Sequence, residues 1–228
     1  KAYEASTQLI FSSHWAARSA MDDYHVPEGK INVLRLGANQ NVPDYLPERQ
    51  SHGKLRLLFV GKEWARKGGS IAVDALSSLQ GRGVDSELVM VGCDPPKGVP
   101  NVKGLTITPY VEDVSPFFRE ADIFILPTRA ECAGIVFCEA SAYGLPSFTT
   151  DTGGVPDYVE DGVNGRLLPL DATGDDFADA IIELWSDQEA MESMRLSARR
   201  RYEGELNWDV WMQRFEEIAQ KALTASKG

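Results

Sequence analysis

ADIFILPTRAECAGIVFCEASAYGLPSFTT, residues 121–150, is the stretch from which the fold can be read. It opens on an apolar run, ADIFILP (121–127), passes through a polar turn, shows helical spacing over 135–143 and closes on a second apolar run, LPSFTT (145–150). Short runs that are apolar on both faces, with a helix between them, belong to a parallel sheet covered on both sides. Toward the N-terminus LRLLFVG (55–61) and SELVMVG (86–92) repeat the strand pattern, and SIAVDALSSLQ (70–80) and EDVSPFFRE (112–120) supply helices between strands. The reading is α/β, a doubly wound parallel sheet. Helices near 175–186, 188–202 and 208–223 come after it, the first with Phe177, Ile181, Leu184 and Trp185 on one face.

The opening 40 residues differ. QLIFSS (8–13) and INVLRLG (31–37) are strand-like and 14–24 is helix-like, a β-α-β hook too small to bury itself. NQNVPDYLPERQSHGK (39–54), with two prolines and no apolar period, reads as a linker. The chain opens at Lys1 without a methionine and goes straight into an ordered pattern, so a fragment is expected.

The composition, 43% hydrophobic and 25% charged, is that of a globular protein. A net charge of -11 argues against nucleic-acid binding, which draws on clustered Lys and Arg. Cys93, Cys132 and Cys138 form no CxxC pair and lie far from His14, His25 and His52, so neither a disulfide framework nor a metal cluster is expected. No apolar run approaches the roughly 20 residues of a membrane span. A cytoplasmic setting is expected, at most peripheral at the inner face of a membrane for the full-length protein. No basic amphipathic stretch in this half points to a membrane surface.

Ligands of open α/β sheets bind beyond the carboxyl ends of the strands, which directs attention to the segments after LRLLFVG and ADIFILP. The first, GKEWARKGG (61–69), lacks both GxGxxG and GxxxxGK[ST], so neither NAD nor a bare ATP cradle is indicated. It offers Lys62 and Lys67 where a strand gives way to a helix N-terminus, a setting that suits a diphosphate; solvated loop lysines are the alternative. The second carries Glu131 and Glu139 on either side of Gly134. Gly134 is placed to start a helix and to let a ligand approach the N–H groups of Gly134, Ile135 and Val136. A mostly helical step from one glutamate to the other spans about 12 Å, comparable to the distance from a ribose across a diphosphate to a hexose. A carboxylate accepts from two neighbouring hydroxyls at once, so one could grip each sugar. The alternative is a surface acid and an ordinary helix glutamate, against which stands the apolar setting of Glu139 in VFCEASA, where an unpaired charge is costly.

These residues resemble the retaining glycosyltransferases of family 4, whose GT-B fold pairs two Rossmann-like domains. FVGKEWARKG looks like that family's strand, Gly, basic residue and downstream Lys-Gly. ECAGIVFCEASAYGLPSFTTDTGGVPDYVEDGVNGRLLP looks like its Glu, seven residues, Glu, proline and Gly-Gly-Val-Pro turn. The resemblance covers about 31–228 and implies the donor-binding half of such an enzyme. Residues 1–38 would then be the tail of an N-terminal acceptor domain, 39–54 the linker, 55–203 the Rossmann-like nucleotide-sugar-binding domain and 204–228 a helix crossing back to the missing domain.

Residue by residue, the resemblance implies that Glu131 bonds the transferred sugar, Glu139 the ribose hydroxyls and Lys67 the diphosphate. Gly61 and Lys62 would join the phosphate clamp, backbone groups from Cys132 and Ala133 through Gly134, Ile135 and Val136 would line the pocket, and Tyr110 would lie against the base. Glu131, Lys67 and Lys62 are the residues to which catalysis is assigned. The sequence departs from the pattern at Lys62, usually Arg, at Cys132 and Ala133, where Gly-Phe is common, and at Asp157, usually Glu. The reaction that the resemblance implies is hexosyl transfer with retention and without a metal or cofactor, from a UDP- or GDP-type sugar. The acceptor would be a glycan, lipid or small molecule bound through the missing domain. A nucleotide-sugar epimerase of the same fold and a non-catalytic nucleotide-sugar-binding module are the alternatives. For Trp208, Trp211 and Phe215, docking of the missing domain and packing on this sheet are both open.

Overall fold

The structure is a computed structural model and describes residues 2–46 and 53–225. A short helix α1 (Ala2–Ala5) leads into β1 (Leu9–Phe11), α2 (His14–Tyr24) and β2 (Ile31–Val33), and β1 and β2 pair in parallel, Leu9 opposite Ile31. The main domain continues as β3 (Leu55–Val60), α3 (Trp64–Lys67), α4 (Gly69–Gly81), β4 (Ser86–Val91), β5 (Leu105–Thr108), α5 (Ser115–Glu120), β6 (Ile123–Leu126), α6 (Ile135–Ala142), β7 (Ser147–Thr150) and β8 (Gly165–Leu168). Three helices complete it: α7 (Gly174–Trp185), α8 (Gln188–Glu205) and α9 (Trp208–Ala225). The six main strands are all parallel, in the order β5-β4-β3-β6-β7-β8.

That order has a physical consequence for ligand binding. The chain winds outward from β3 to β5, then returns to place β6 on the other side of β3, so the loops after β3 and β6 diverge and open a crevice between them. The core beneath is aromatic and closed: Phe118 stacks on Tyr143 at 5.6 Å, and Phe124 meets Phe137 edge to face at 5.8 Å.

The helices at 14–24 and 70–80 lie where spacing predicts them, and the strands expected at 55–61 and 86–92 each end one residue sooner. The helix expected over 112–120 starts only at Ser115. Asp113 accepts from the Ser115 N–H at 2.9 Å, and Pro116 fits only in a first turn. Two strands, β5 and β8, have no counterpart in the sequence reading. Both are edge strands of four residues, too short for a period to register. At β8 the approach is so close that a Cβ on Gly165 would lie 2.0 Å from the Ser147 carbonyl oxygen.

The hook is sewn to the main domain, as its size requires. Tyr158 Oη donates to the Ser12 carbonyl at 2.8 Å and accepts from the Leu36 N–H at 3.2 Å, bridging the ends of β1 and β2. Asp157 accepts from the His14 N–H at 2.8 Å and pairs with the His14 imidazole. Of the expected linker, 47–52 lies outside the described residues, and 39–46 is bound chain. Tyr143 Oη donates to Asn41 O at 2.6 Å, and Arg199 donates to Pro43 O at 3.0 Å and Asp44 O at 3.2 Å. Lack of apolar periodicity therefore does not mark free chain here, because main-chain carbonyls supply the attachment. On α9, Trp208 Nε1 donates to Asn39 Oδ1 at 3.0 Å, Trp211 stacks on Phe215 at 5.1 Å, and Trp208, Met212, Phe215 and Leu223 are exposed. Among the described residues no helix is long and apolar enough to cross a membrane.

Candidate functional site

Two cavities open at the carboxyl ends of the strands. The first, about 260 Å³, is floored by Val60, Val91, Val111 and Val114 and carries Gly61, Lys62, Tyr110 and Glu139 with Gln40 and Glu112. The second, about 500 Å³, is lined by Glu131 and Cys132 with Trp15, Glu63, Arg66 and the Thr152–Gly153 turn. Lys67 is half-buried and forms an ion pair with Glu131, closing the gap between the loop after β3 and the loop after β6. The β3–β6 adjacency brings these side chains together across 64 positions of sequence.

The placement of Lys67 corrects the expected strand-to-helix junction. A single turn, α3, intervenes, and Lys67 is its last residue; α4 begins at Gly69. Between them Gly68 takes φ +76, and a Cβ there would lie 2.0 Å from the Pro127 carbonyl oxygen. Only glycine lets the chain reverse this close to the end of β6, and that reversal turns Lys67 toward Glu131. Lys62 is exposed, in the turn ahead of α3.

Glu131 lies in the loop, four residues before α6 starts, so the helical step does not describe its separation from Glu139. Gly134 caps α6 as its spacing suggests, with Ile135 and Val136 half-buried in the first turn, Ala133 half-buried ahead of it and Cys132 exposed. Neither lining includes 133–136, which in sequence separate Cys132 of the second cavity from Glu139 of the first. The Glu131 backbone is clamped from behind: its carbonyl accepts from the Gly154 N–H at 2.9 Å. Tyr110 is 77% exposed at the mouth of the first cavity.

Arg66 is the residue that sequence reasoning passed over. Its Nη1 donates to Ala130 O at 2.9 Å and lies 3.9 Å from the Glu131 carboxylate, and its Nε donates to Glu63 at 2.6 Å. A third basic residue beside Lys62 and Lys67 was visible; its direction depends on α3, which one turn of sequence does not announce.

Glu139 is buried, and burial pushes its carboxyl up to about 7, against hydrogen bonds from the Asn39 N–H and the Gln40 side chain. Its ordinary value is 4.5. Between the two, the folded chain binds more protons than the unfolded one, so stability falls as pH rises. The cost is absent below about pH 4.5 and nearly complete by about pH 8, where it is on the order of 3 kcal/mol. Glu139→Gln is therefore expected to raise the melting midpoint at about pH 8 and leave it unchanged near pH 4.5; a gain equal at both would remove this account. Among the described residues no group of three or more His, Cys, Asp or Glu is placed to hold a metal ion.

Residues 54–187 match the family model described as glycosyl transferases group 1. Among similar curated proteins, the amylovoran biosynthesis glycosyltransferase AmsK of Erwinia amylovora is 26% identical over 212 residues, 86% of this chain and 52% of that protein. The alpha-D-kanosaminyltransferase of Streptomyces kanamyceticus is 31% identical over 152 residues, 62% of this chain and 39% of that protein. The chain spans about half the length of the first curated relatives it matches. Among solved structures, Anabaena HepE in complex with UDP superposes with a TM-score of 0.79 at 17% identity, covering 96% of this chain and 65% of that one. WaaG, a glycosyltransferase involved in lipopolysaccharide biosynthesis, does so with a TM-score of 0.76 at 20% identity, covering 92% and 62%. At such identities the likeness is one of fold, and the fold of this chain is one Rossmann-like half of GT-B.

Proposed function

Because this chain belongs to the glycosyl transferases group 1 family, we propose that it is the donor-binding half of a retaining, metal-independent glycosyltransferase that transfers a hexose from a nucleotide-diphosphate sugar. The observation that carries the reading is the Lys67–Glu131 pair, which ties the loop after β3 to the loop after β6 with Glu131 in the lining of the second cavity. HepE was solved with UDP and with UDP-glucose, which supports a donor of this class.

The first cavity suits a nucleoside. Its valine floor and the exposed Tyr110 offer a base an apolar wall, and Glu139 offers two acceptor oxygens to a ribose diol. Lys67 has three ammonium hydrogens, so it can keep Glu131 and still donate to a diphosphate oxygen. Lys62 at the mouth adds a point charge, and the first N–H groups of α6 face no intrahelical partner. The sugar then falls in the second cavity, where the Glu131 carboxylate can accept from its hydroxyls.

In transfer, the bond from the sugar's anomeric carbon to the diphosphate oxygen breaks and a bond to the acceptor oxygen forms on the same face. The acceptor proton passes to the departing phosphate. Lys67, Lys62 and the α6 amides stabilise the charge that grows on the diphosphate, so this half contributes electrostatic stabilisation and needs no general base. The acceptor is bound by the domain that the length of the relatives implies, against which the open part of α9 would pack.

Calorimetric titration of the protein with UDP, GDP and ADP, without divalent metal, tests this reading. One of the three is expected to bind, and Lys67→Ala to weaken it about 10- to 100-fold, the worth of a hydrogen-bonded charge. Unchanged affinity in Lys67→Ala would remove the clamp. Binding only with a divalent cation would overturn the metal-independent mechanism.

A further inference from the structure

We propose that Gln40 is a positioning residue for the nucleotide-sugar site: its side-chain amide, carried on the bound stretch 36–44, a strap held against α6, aims the Glu139 carboxylate at the ligand. The inference rests on the donor-half reading and deepens it, by adding a residue outside both the phosphate loop and the α6 loop.

Gln40 and Glu139 line the same cavity, although one comes from the strap and the other from α6. The strap is held on both sides of Gln40. Trp208 Nε1 donates to Asn39 Oδ1 at 3.0 Å on one side, and Tyr143 Oη donates to Asn41 O at 2.6 Å on the other. Upstream, Cys138 Sγ donates to Leu36 O at 3.1 Å, and Gly37 packs so closely that a Cβ would lie 2.5 Å from the Trp208 nitrogen. A side chain carried on backbone fixed this way loses little further freedom when it makes its bond.

Glu139 receives its hydrogen bonds from the Asn39 N–H and the Gln40 amide, and both oppose the burial that raises its carboxyl. The other ionisable groups near it are Lys62, Tyr110 and Glu112 in the same cavity and Cys138 beside it on α6; on α8, which packs against α6, Arg199 is committed to Glu203 and the Ala142 carbonyl, and Arg201 to Glu160 and the Asp157 carbonyl. Loss of the Gln40 amide raises the carboxyl further and leaves less of it ionised at neutral pH. A protonated carboxyl commits one oxygen as a donor and no longer offers both to a diol.

Gln40→Met keeps the bulk and removes the amide, and it leaves every group assigned to sugar and phosphate in place. Calorimetry with whichever of UDP, GDP and ADP binds the unchanged protein most tightly, at about pH 7 and about pH 8.5, provides the test. The expected deficit is about 5- to 10-fold at the lower pH, narrowing to about twofold at the higher as Glu139 ionises again. Gln40→Glu, which sets a second carboxylate beside the first, should show a larger deficit at about pH 7 and a steeper recovery. Equal affinity of Gln40→Met and the unchanged protein, or a deficit that does not narrow with pH, would overturn the assignment. Failure of both variants to fold would make Gln40 structural and overturn it too. If the unchanged protein binds none of the three nucleotides, the donor-half reading itself fails, an outcome distinct from the others.

Discussion

Replacing Glu131 with alanine in the full-length enzyme is expected to lower turnover about 100- to 1,000-fold, the cost of removing one group that stabilises a transition state. Glu131 holds Lys67 from the opposite side of the crevice and lines the cavity assigned to the sugar, so its loss releases the lysine and leaves sugar hydroxyls without an acceptor. Glu131→Gln separates the two effects. The amide oxygen still accepts from a hydroxyl, but the charge that holds Lys67 is gone. If sugar contact dominates, the glutamine variant recovers part of the rate; if the charge dominates, it is as slow as alanine. Steady-state turnover near that of the unchanged enzyme in Glu131→Ala would withdraw both roles.

The second large effect comes from a residue with no side chain. Gly153→Ala is expected to cost the fold about 2–4 kcal/mol and to lower turnover about 100-fold. Gly153 has φ +55, and a Cβ there would lie 2.1 Å from the Glu131 carbonyl oxygen. The backbone that bears the Glu131 carboxylate must then retreat by about 1 Å, enough to spoil a reacting geometry at the proposed site. Gly162 supplies the control: its φ is +76, with nothing within 4 Å of the added carbon. Gly162→Ala therefore reports left-handed strain alone, about 1–2 kcal/mol, with turnover retained. Equal melting shifts and equal rates for the two variants would show that contact with Glu131 carries no weight.

Both predictions depend on contacts between distant parts of the chain, and there the sequence is least informative. The glutamates, the glycine between them and the lysines of the first loop were visible as residue types in order. The Gly-Gly turn was visible as a motif, but its task of clamping Glu131 from behind was not. Arg66 was passed over because its direction is set by the one-turn helix α3, and Gln40 because its stretch showed no apolar period, the pattern of a linker. The edge strands β5 and β8 escaped for a related reason, since four residues carry too little pattern to distinguish strand from loop.

The longer local elements were determined by sequence alone. Apolar runs of strand length specify a parallel sheet, helical spacing specifies its crossovers, and Gly134 marks the start of α6, because each follows from the chemistry of chain neighbours. Only the tertiary structure decided which loops meet. Strand order places β6 beside β3, and so Lys67 against Glu131, while the strap brings Gln40 over Glu139. Such pairings arise from long-range hydrogen bonding and packing among elements, and no local period in the chain encodes them.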